Sequence, residues 1–532
     1  MKRLLAILLV SILSLAACSD GNQQTADESM LHRGIGEEPE SLDIHKSRSS
    51  QAGHVQRDLG EGMVGYTPNG DVRAAAAEDW VISEDGTEYT FALRPDARWS
   101  NGDPVTAQDF VYSYQRLVDP ESAAFYVQSV GDIVNAAAII AGELPPSALG
   151  VEAIDVYHLK ITLTHPVPYF LVLLSHPSTF PVHSGSIEKH GDLHARPGNL
   201  ISNGAYKLVA WEVGSYIESE RNEYYWDNEN TSIDRVRHYV TTEPMVELNR
   251  YRAGELHITR TIPPESFAQM RAERPNEVRV SPALGVYYFG FNMSKPPFVD
   301  KPKLREALSM AIDRETIVDL VGRGEAPAYS WVPGGTANYD PATYSWANMA
   351  HAERIKKAQQ LYREAGYDED NPLQTELRYN THETHRQVAL AVQSMWSDVL
   401  GVETRLINEE FQVLLANLQQ KEVTQIFRLN WDGDYNDAQT FLGTLVGGDP
   451  SNLTGYRSDD FDSLMRRAAE QTDAGRRKLY MEQAEREMLN DYPLIPIYFY
   501  VNKSMVSPAV GGWGDNVLNY HYSQHLSLAT ND

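Results

Sequence analysis

Tyr89-Thr90-Phe91-Ala92-Leu93-Arg94, Ala97-Arg98-Trp99-Ser100-Asn101-Gly102-Asp103 and Pro104-Val105-Thr106-Ala107-Gln108-Asp109-Phe110-Val111-Tyr112-Ser113 decide the fold class. Tyr89 to Leu93 alternates apolar and small or polar residues, the period of a half-buried strand. Ser100 to Pro104 is a turn cluster. Thr106 then stands as an N-cap, with Asp109 three residues later near the positive end of a helix. Phe110, Tyr114 and Leu117 continue one helical face until Asp119-Pro120 stops it. The unit is strand, turn, helix.

The same alternation of elements continues outward. Val156 to Thr164 reads as a strand closed by His165-Pro166-Val167-Pro168, and Leu494 to Val501 as an aromatic and β-branched strand. Lys303 to Asp313 reads as a helix with Leu304, Ala307, Leu308 and Ala311 on one face. Ala352 to Ala365 is helical up to Gly366, and Arg386 to Leu400 up to Gly401, each glycine suited to a left-handed C-terminal position. The chain is therefore mixed α/β. Its 532 residues exceed one core, since single cores stop growing near roughly 250–300 residues. At least two lobes are expected.

The formal net charge is -27, from 73 acidic and 46 basic residues. So acidic a chain is a poor partner for nucleic acid, whose phosphates are bound by Lys and Arg, and anionic lipid headgroups would repel it. Cys18 is the single cysteine, so neither an internal disulfide nor a thiolate cluster can form. It follows a basic start, Lys2-Arg3, and an apolar run from Leu4 to Leu15. That run is shorter than the ~20 residues of a membrane span, and the pattern is that of a signal peptide. Leu15-Ala16-Ala17-Cys18 resembles the bacterial lipobox, whose Cys is acylated and becomes the first mature residue; the alternative is a plain secretory signal cleaved near Ala16 or Ala17. Ser19 to Ser29 reads as a polar tether. The protein is expected in the periplasm or cell envelope, touching the membrane only through a lipid on Cys18.

Several chemical motifs fail on context. Gly60-Glu61-Gly62-Met63-Val64-Gly65 fits G-x-G-x-x-G, but a helix-like stretch, His54 to Leu59, precedes it where a dinucleotide site needs a strand. His382 and His385, and His190 and His194, have spacings that could place two ligands on one face. Neither pair carries H-E-x-x-H, the surroundings of His190 read as loop, and surface histidines are the plainer reading. Ser186-Ile187-Glu188-Lys189 fits S-x-x-K without its supporting elements, and no G-x-S-x-G or P-loop is present. No catalytic residue, metal site or cofactor is expected.

Three stretches resemble the oligopeptide-binding proteins of peptide ABC importers, the family 5 extracellular solute-binding proteins. They are Tyr89 to Tyr114; Pro166-Val167-Pro168-Tyr169-Phe170, followed by His176-Pro177-Ser178-Thr179 and Ser202-Asn203-Gly204-Ala205-Tyr206; and Trp431-Asp432-Gly433-Asp434-Tyr435-Asn436. The resemblance spans the mature chain and is strongest to the Gram-negative oligopeptide and murein-tripeptide receptors. It implies an α/β, two-lobed clamshell of the type II, large peptide-binding class, with an additional inserted domain. After a signal peptide over 1–17, lobe I would comprise 18–60, 186–285 and 503–532. The inserted domain would span 61–185, and lobe II 286–502.

The resemblance also assigns a site. A receptor for varied peptides must read the backbone, the α-ammonium and the α-carboxylate. In this family the Trp-x-x-Asp-Tyr-Asn stretch lines the cleft, which puts Asp434 on the peptide ammonium. The backbone of Asn430, Trp431 and Asp432 would add to the ligand as a strand, with Tyr435 beside it. Arg428 and His385 match positions that meet the ligand carboxylate, a task suited to the planar guanidinium fork. Tyr126 matches a cleft tyrosine of the inserted domain. The partners implied are short peptides and the permease and ATPase subunits of an importer, with the receptor a monomer.

The chain departs from that pattern in places. Ser47-Arg48-Ser49 stands where an acidic residue is usual, and Asp432 where a Cys is. Arg323 is the substitute available for a Lys, and Gln419 replaces an Arg. These changes alter charge along the expected cleft. A receptor specialised for murein tripeptide or another single peptide-like ligand is therefore the alternative, ahead of a non-peptide solute receptor, an envelope chaperone or an enzyme.

Overall fold

The computed structural model describes residues 30–421 and 425–529. The expected signal peptide, Cys18 and the whole expected tether, Ser19 to Ser29, lie outside the described residues.

Three principal sheets each carry their own core. The first has four strands, in the order Met30–Gly36, Arg235–Val240, Tyr216–Arg221, Tyr206–Glu212. Only its first pair is parallel. Leu31, Ile217 and Val236 pack beneath it with Val506 and Leu526 from the end of the chain. The second sheet, Ala77–Ile82, Glu88–Leu93, His158–Thr162, Val151–Ala153, is antiparallel. Its core joins Phe91 and Leu159 to Phe110 and Tyr114 of the helix Ala107–Val118. The third has six strands, in the order Ala326–Pro327, Leu494–Met505, Val278–Phe291, Ile426–Asp432, Gln374–Asn380, Glu403–Glu409. Phe289, Leu377, Ile495 and Trp396 lie in the largest cluster, built on it.

The strand–turn–helix unit folds as its residues dictate. The Asp109 carboxylate accepts from the Thr106 amide at 2.8 Å and from its hydroxyl at 2.9 Å, closing the first helical turn. The helices His351–Glu364 and Glu383–Leu400 end before Gly366 and Gly401, both at positive φ. The G-x-G-x-x-G stretch follows the helix Ser50–Leu59 and runs into a hairpin strand, Val64–Tyr66. A Cβ on Gly62 would sit 2.8 Å from the Phe180 ring, so that glycine serves packing. The surroundings of His190 are not all loop: a short helix, Ser184–His190, ends there. Nor is His194 a surface group. It is buried, with Nε2 3.8 Å from the Asp43 carboxylate, because Asp43 is already drawn inward by Arg116 at 2.7 Å.

Two long strands join the lobes. Val278–Phe291 and Leu494–Met505 pair from Val278 opposite Met505 to Gly290 opposite Leu494, with register shifts between Pro282 and Val286 and between Tyr287 and Tyr288. Their outer end lies by the first sheet, through bridges Arg33–Ile258 and Ile258–Val506. Their inner end is the centre of the six-stranded sheet. The register break lies between the two and increases local twist.

Candidate functional site

The strand Ile426–Asp432 is the wall on which the site is built. On one side it pairs along its length with Val278–Phe291, from Phe291 opposite Ile426 to Gly285 opposite Asp432. On the other side Gln374–Asn380 pairs with it only at Ile426 and Phe427. From Arg428 to Asp432 that second edge is open among the described residues, and its main-chain groups can receive an added strand.

The turn after the strand is rigid. The Gly433 amide donates to the Leu284 carbonyl at 2.7 Å, and the Asp434 amide to Thr440 Oγ1 at 3.1 Å. A Cβ on Gly433 would lie 2.9 Å from the Phe441 ring, so the turn passes where only glycine fits. Asn436 is buried and accepts from the Ala337 amide at 2.9 Å. Asp437 accepts two 2.7 Å bonds from the buried Arg477 guanidinium. Asp434 is exposed on this fixed turn, and its carboxylate has no cation or hydrogen-bond donor among the described residues. Although its tip reaches solvent, partial desolvation by the surrounding cleft walls, then the neighbouring Asp432 charge, raise its pKa above the usual carboxylate value.

A cleft of about 530 Å³ opens beside Asp434, within the size range of small-ligand sites. It is lined by Asp434 and Tyr435 from the second lobe, by Tyr126 and Tyr169 from the segment around the second sheet, and by Arg57 and Tyr520 from the first lobe. Tyr126 donates its hydroxyl to the Arg48 carbonyl at 3.1 Å, and its ring lies 4.4 Å from that of His176.

The other expected residues divide into two groups. Asn430 and Asp432 share a strand face, where Asn430 Nδ2 donates to Asp432 Oδ2 at 2.8 Å. Burial raises the Asp432 pKa, against the opposing Asn430 bond and Arg428 charge. Trp431 points the other way, partly buried against the large core, and among the described residues its Nε1 has no partner. Arg428 is not an open hand in this arrangement. It is 3% exposed, donates to Asn380 Oδ1 at 3.1 Å and to the Tyr500 hydroxyl at 3.2 Å, and lies 4.3 Å from the Tyr287 ring centroid. Among the described residues its Nε has no partner. His385 lies 5.6 Å from the same ring. Burial, then the charges of Arg428, His382 and Arg323, take its pKa down to about 3, so it is neutral at pH 7. Arg428 and His385 thus form a second, deeper cluster, and neither lines the cleft beside Asp434.

Two features escaped the sequence reading. Near Ser47-Arg48-Ser49 an acid is present after all: the Glu40 carboxylate folds back and accepts from the Arg48 and Ser49 amides and the Ser49 hydroxyl. The close spacing of Glu40 to that loop was the available signal. The second is the Arg57–Tyr520 contact, with the guanidinium 3.5 Å from the ring centroid. No local pattern links those positions.

A cleft walled by two lobes, with an open strand edge and one unpaired carboxylate, defines a clamshell solute-binding protein. The chain belongs to the bacterial extracellular solute-binding proteins, family 5, whose sequence pattern residues 71–452 match. It is 38% identical over 529 residues to the periplasmic oligopeptide-binding protein OppA of Escherichia coli, covering 98% of this chain and 97% of that one. The structure is similar to the murein tripeptide-binding protein MppA in its unliganded open form, with TM-score 0.91, 35% identity, and coverage of 94% and 98%. It is also similar to Haemophilus influenzae OppA in complex with the peptide RPPGFSPFR, with TM-score 0.68, 35% identity, and coverage of 94% and 99%. Among the described residues no helix is long and apolar enough to cross a membrane.

Proposed function

We propose that the protein is an extracytoplasmic receptor that captures short peptides between its lobes and delivers them to the permease and ATPase subunits of an ABC importer. The observation that carries this reading is Asp434. It is a carboxylate without a cation, held on a rigid turn at the end of a strand whose edge is open. An α-ammonium supplies the missing charge, and a peptide backbone supplies the missing strand. Both features are common to all peptides, which suits a ligand of varied sequence. Varied side chains can be accommodated through water, whose bridging bonds adapt to shape.

Closure brings the first lobe, with the inserted segment, onto a ligand already held by the second. A ligand that contacts both lobes shifts the population toward the closed state. Arg428 and His385 become available to a ligand carboxylate only if closure or the ligand displaces their present contacts. In this proposal residues 18–60, 186–285 and 503–532 form lobe I, 61–185 the inserted domain and 286–502 lobe II. The receptor acts as a monomer, without catalysis, held in the envelope by a lipid on Cys18.

A narrower reading, a receptor for murein tripeptide or another single peptide-like ligand, draws on Asp432. Its carboxylate adds a second negative charge next to Asp434. Mass spectrometry of ligand released by denaturing the purified mature protein separates the two. A mixture of short peptides supports the general receptor, and a single species supports the narrow one. A non-peptide ligand would overturn both.

A further inference from the structure

The cleft holds a cation that the reading above does not use. Arg57 lies on the helix Ser50–Leu59 and is 5% exposed, yet it lines the cleft beside Asp434. Among the described residues it has no ion pair and no hydrogen bond, and its Nε is buried without a partner. Its guanidinium lies over the Tyr520 face, 3.5 Å away, and its Nη1 sits 2.8 Å from where a Cβ on Gly53 would stand. The neighbouring acid, Asp58, is otherwise engaged. It accepts from the Ser523 amide at 2.8 Å and hydroxyl at 2.7 Å, and lies 3.5 Å from His238 and 4.0 Å from Arg33.

A buried guanidinium without an anion is costly, and an aromatic face offsets only part of that cost. In the open cleft, water can serve the outer nitrogens. A ligand that fills the cleft displaces that water. A neutral group there leaves the cation unpaired, whereas a carboxylate can take the guanidinium fork in two parallel bonds. The other charged groups lining this cleft are Arg48, which is exposed, Asp132, whose carboxylate lies 3.7 Å from His165, and Asp434. Arg57 is thus the buried positive group of a cleft that also holds the proposed ammonium site.

We propose that Arg57 reads a side-chain carboxylate near the amino end of the ligand, so that the protein favours peptides with Asp or Glu at the first or second position. This rests on the peptide reading of the cleft and adds a selectivity to it. The amino end is specified because Arg57 and Asp434 line one cavity.

The test is calorimetric titration of the mature protein, freed of bound ligand, with Ala-Ala-Ala, Glu-Ala-Ala, Gln-Ala-Ala, Ala-Glu-Ala and Ala-Gln-Ala. At one of the two positions the Glu peptide is expected to bind about tenfold or more tightly than its Gln counterpart. Arg57→Gln should abolish that difference, and Arg57→Lys should keep part of it. Equal affinity of Glu and Gln peptides for the parent protein overturns the proposal, even if the variants fail to fold. So does a Glu preference that survives Arg57→Gln. Equal weakening of every peptide by Arg57→Gln also overturns it, and would make Arg57 a latch to Asp434 in the closed state. Binding of Ala-Ala-Ala without any Glu preference removes this inference while leaving the peptide reading intact. Failure of all five peptides to bind removes both.

Discussion

Tyr169 and Tyr435 stack face to face, with ring centroids 4.7 Å apart and planes 7° apart. Tyr169 comes from the segment around the second sheet, and Tyr435 from the turn that carries Asp434. Under the proposed closure, the two bodies that this contact joins move relative to each other.

Such a stack contributes about 0.5–1.5 kcal/mol beyond area burial. If it holds the open state, Tyr169→Leu shifts the population toward closure and tightens peptide binding about fivefold. Titration of parent and variant with one peptide checks this. Unchanged affinity would mean the stack survives in both states.

Asp434→Ala should weaken binding of free-amino peptides about a hundredfold, the scale of a charged hydrogen-bonded pair. Its melting temperature should stay near that of the parent, since the side chain holds no partner among the described residues. N-acetylated peptides should bind the parent poorly, and Asp434→Ala should discriminate less between the two forms.

The pH dependence follows from the same carboxylate. Its pKa is raised in the free protein by burial and by Asp432. Protonation removes the charge that an ammonium needs. Affinity should therefore fall as pH decreases, starting above the pH at which an ordinary Asp titrates. Asp432→Asn removes one cause of the elevation, so the fall should move to lower pH. An identical profile in that variant would argue against coupling of the two carboxylates.

Glu485 offers a stability test away from the cleft. It is fully buried in the second lobe and accepts from the amides of Trp331, Val332 and Ala342 and from the Tyr339 hydroxyl. Burial takes its pKa up from 4.5 to about 7, against those bonds. Between these values the folded state keeps a proton that the unfolded chain loses, so this group makes stability fall as pH rises across that window. Glu485→Gln should flatten the slope in denaturant melts run from pH 4.5 to 7. It should also lower stability by about 1–3 kcal/mol, because an amide cannot accept at both ends.

What the sequence made legible was local. The turn at Ser100–Pro104, the capping at Thr106 and the glycines 366 and 401 act within a few residues, and each stands where expected. The family resemblance extended that reach to the two-lobed fold. The strand Val278–Phe291 was not read as one element. It changes from mostly exposed to fully buried along its length and carries Ser281-Pro282, which resemble a turn. Arg57 with Tyr520, and Tyr169 with Tyr435, are pairs made only by tertiary folding, far apart in the chain. The burial of Arg428 and His194 was missed for the same reason. Whether a charged residue faces water depends on what else arrives beside it.

The order in which the chain is made bears on how these bodies form. The buried core under the second sheet draws on residues from Met63 to Leu174, with Ile201 packed against it, so that body can fold once the chain as far as Ile201 has been released. The first body cannot. Its core needs Leu31 and Leu42 from one end of the described chain and Val506, Val510 and Leu526 from the other. The lobe that begins first is therefore completed last, and until then its apolar faces remain exposed to whatever handles the unfinished chain.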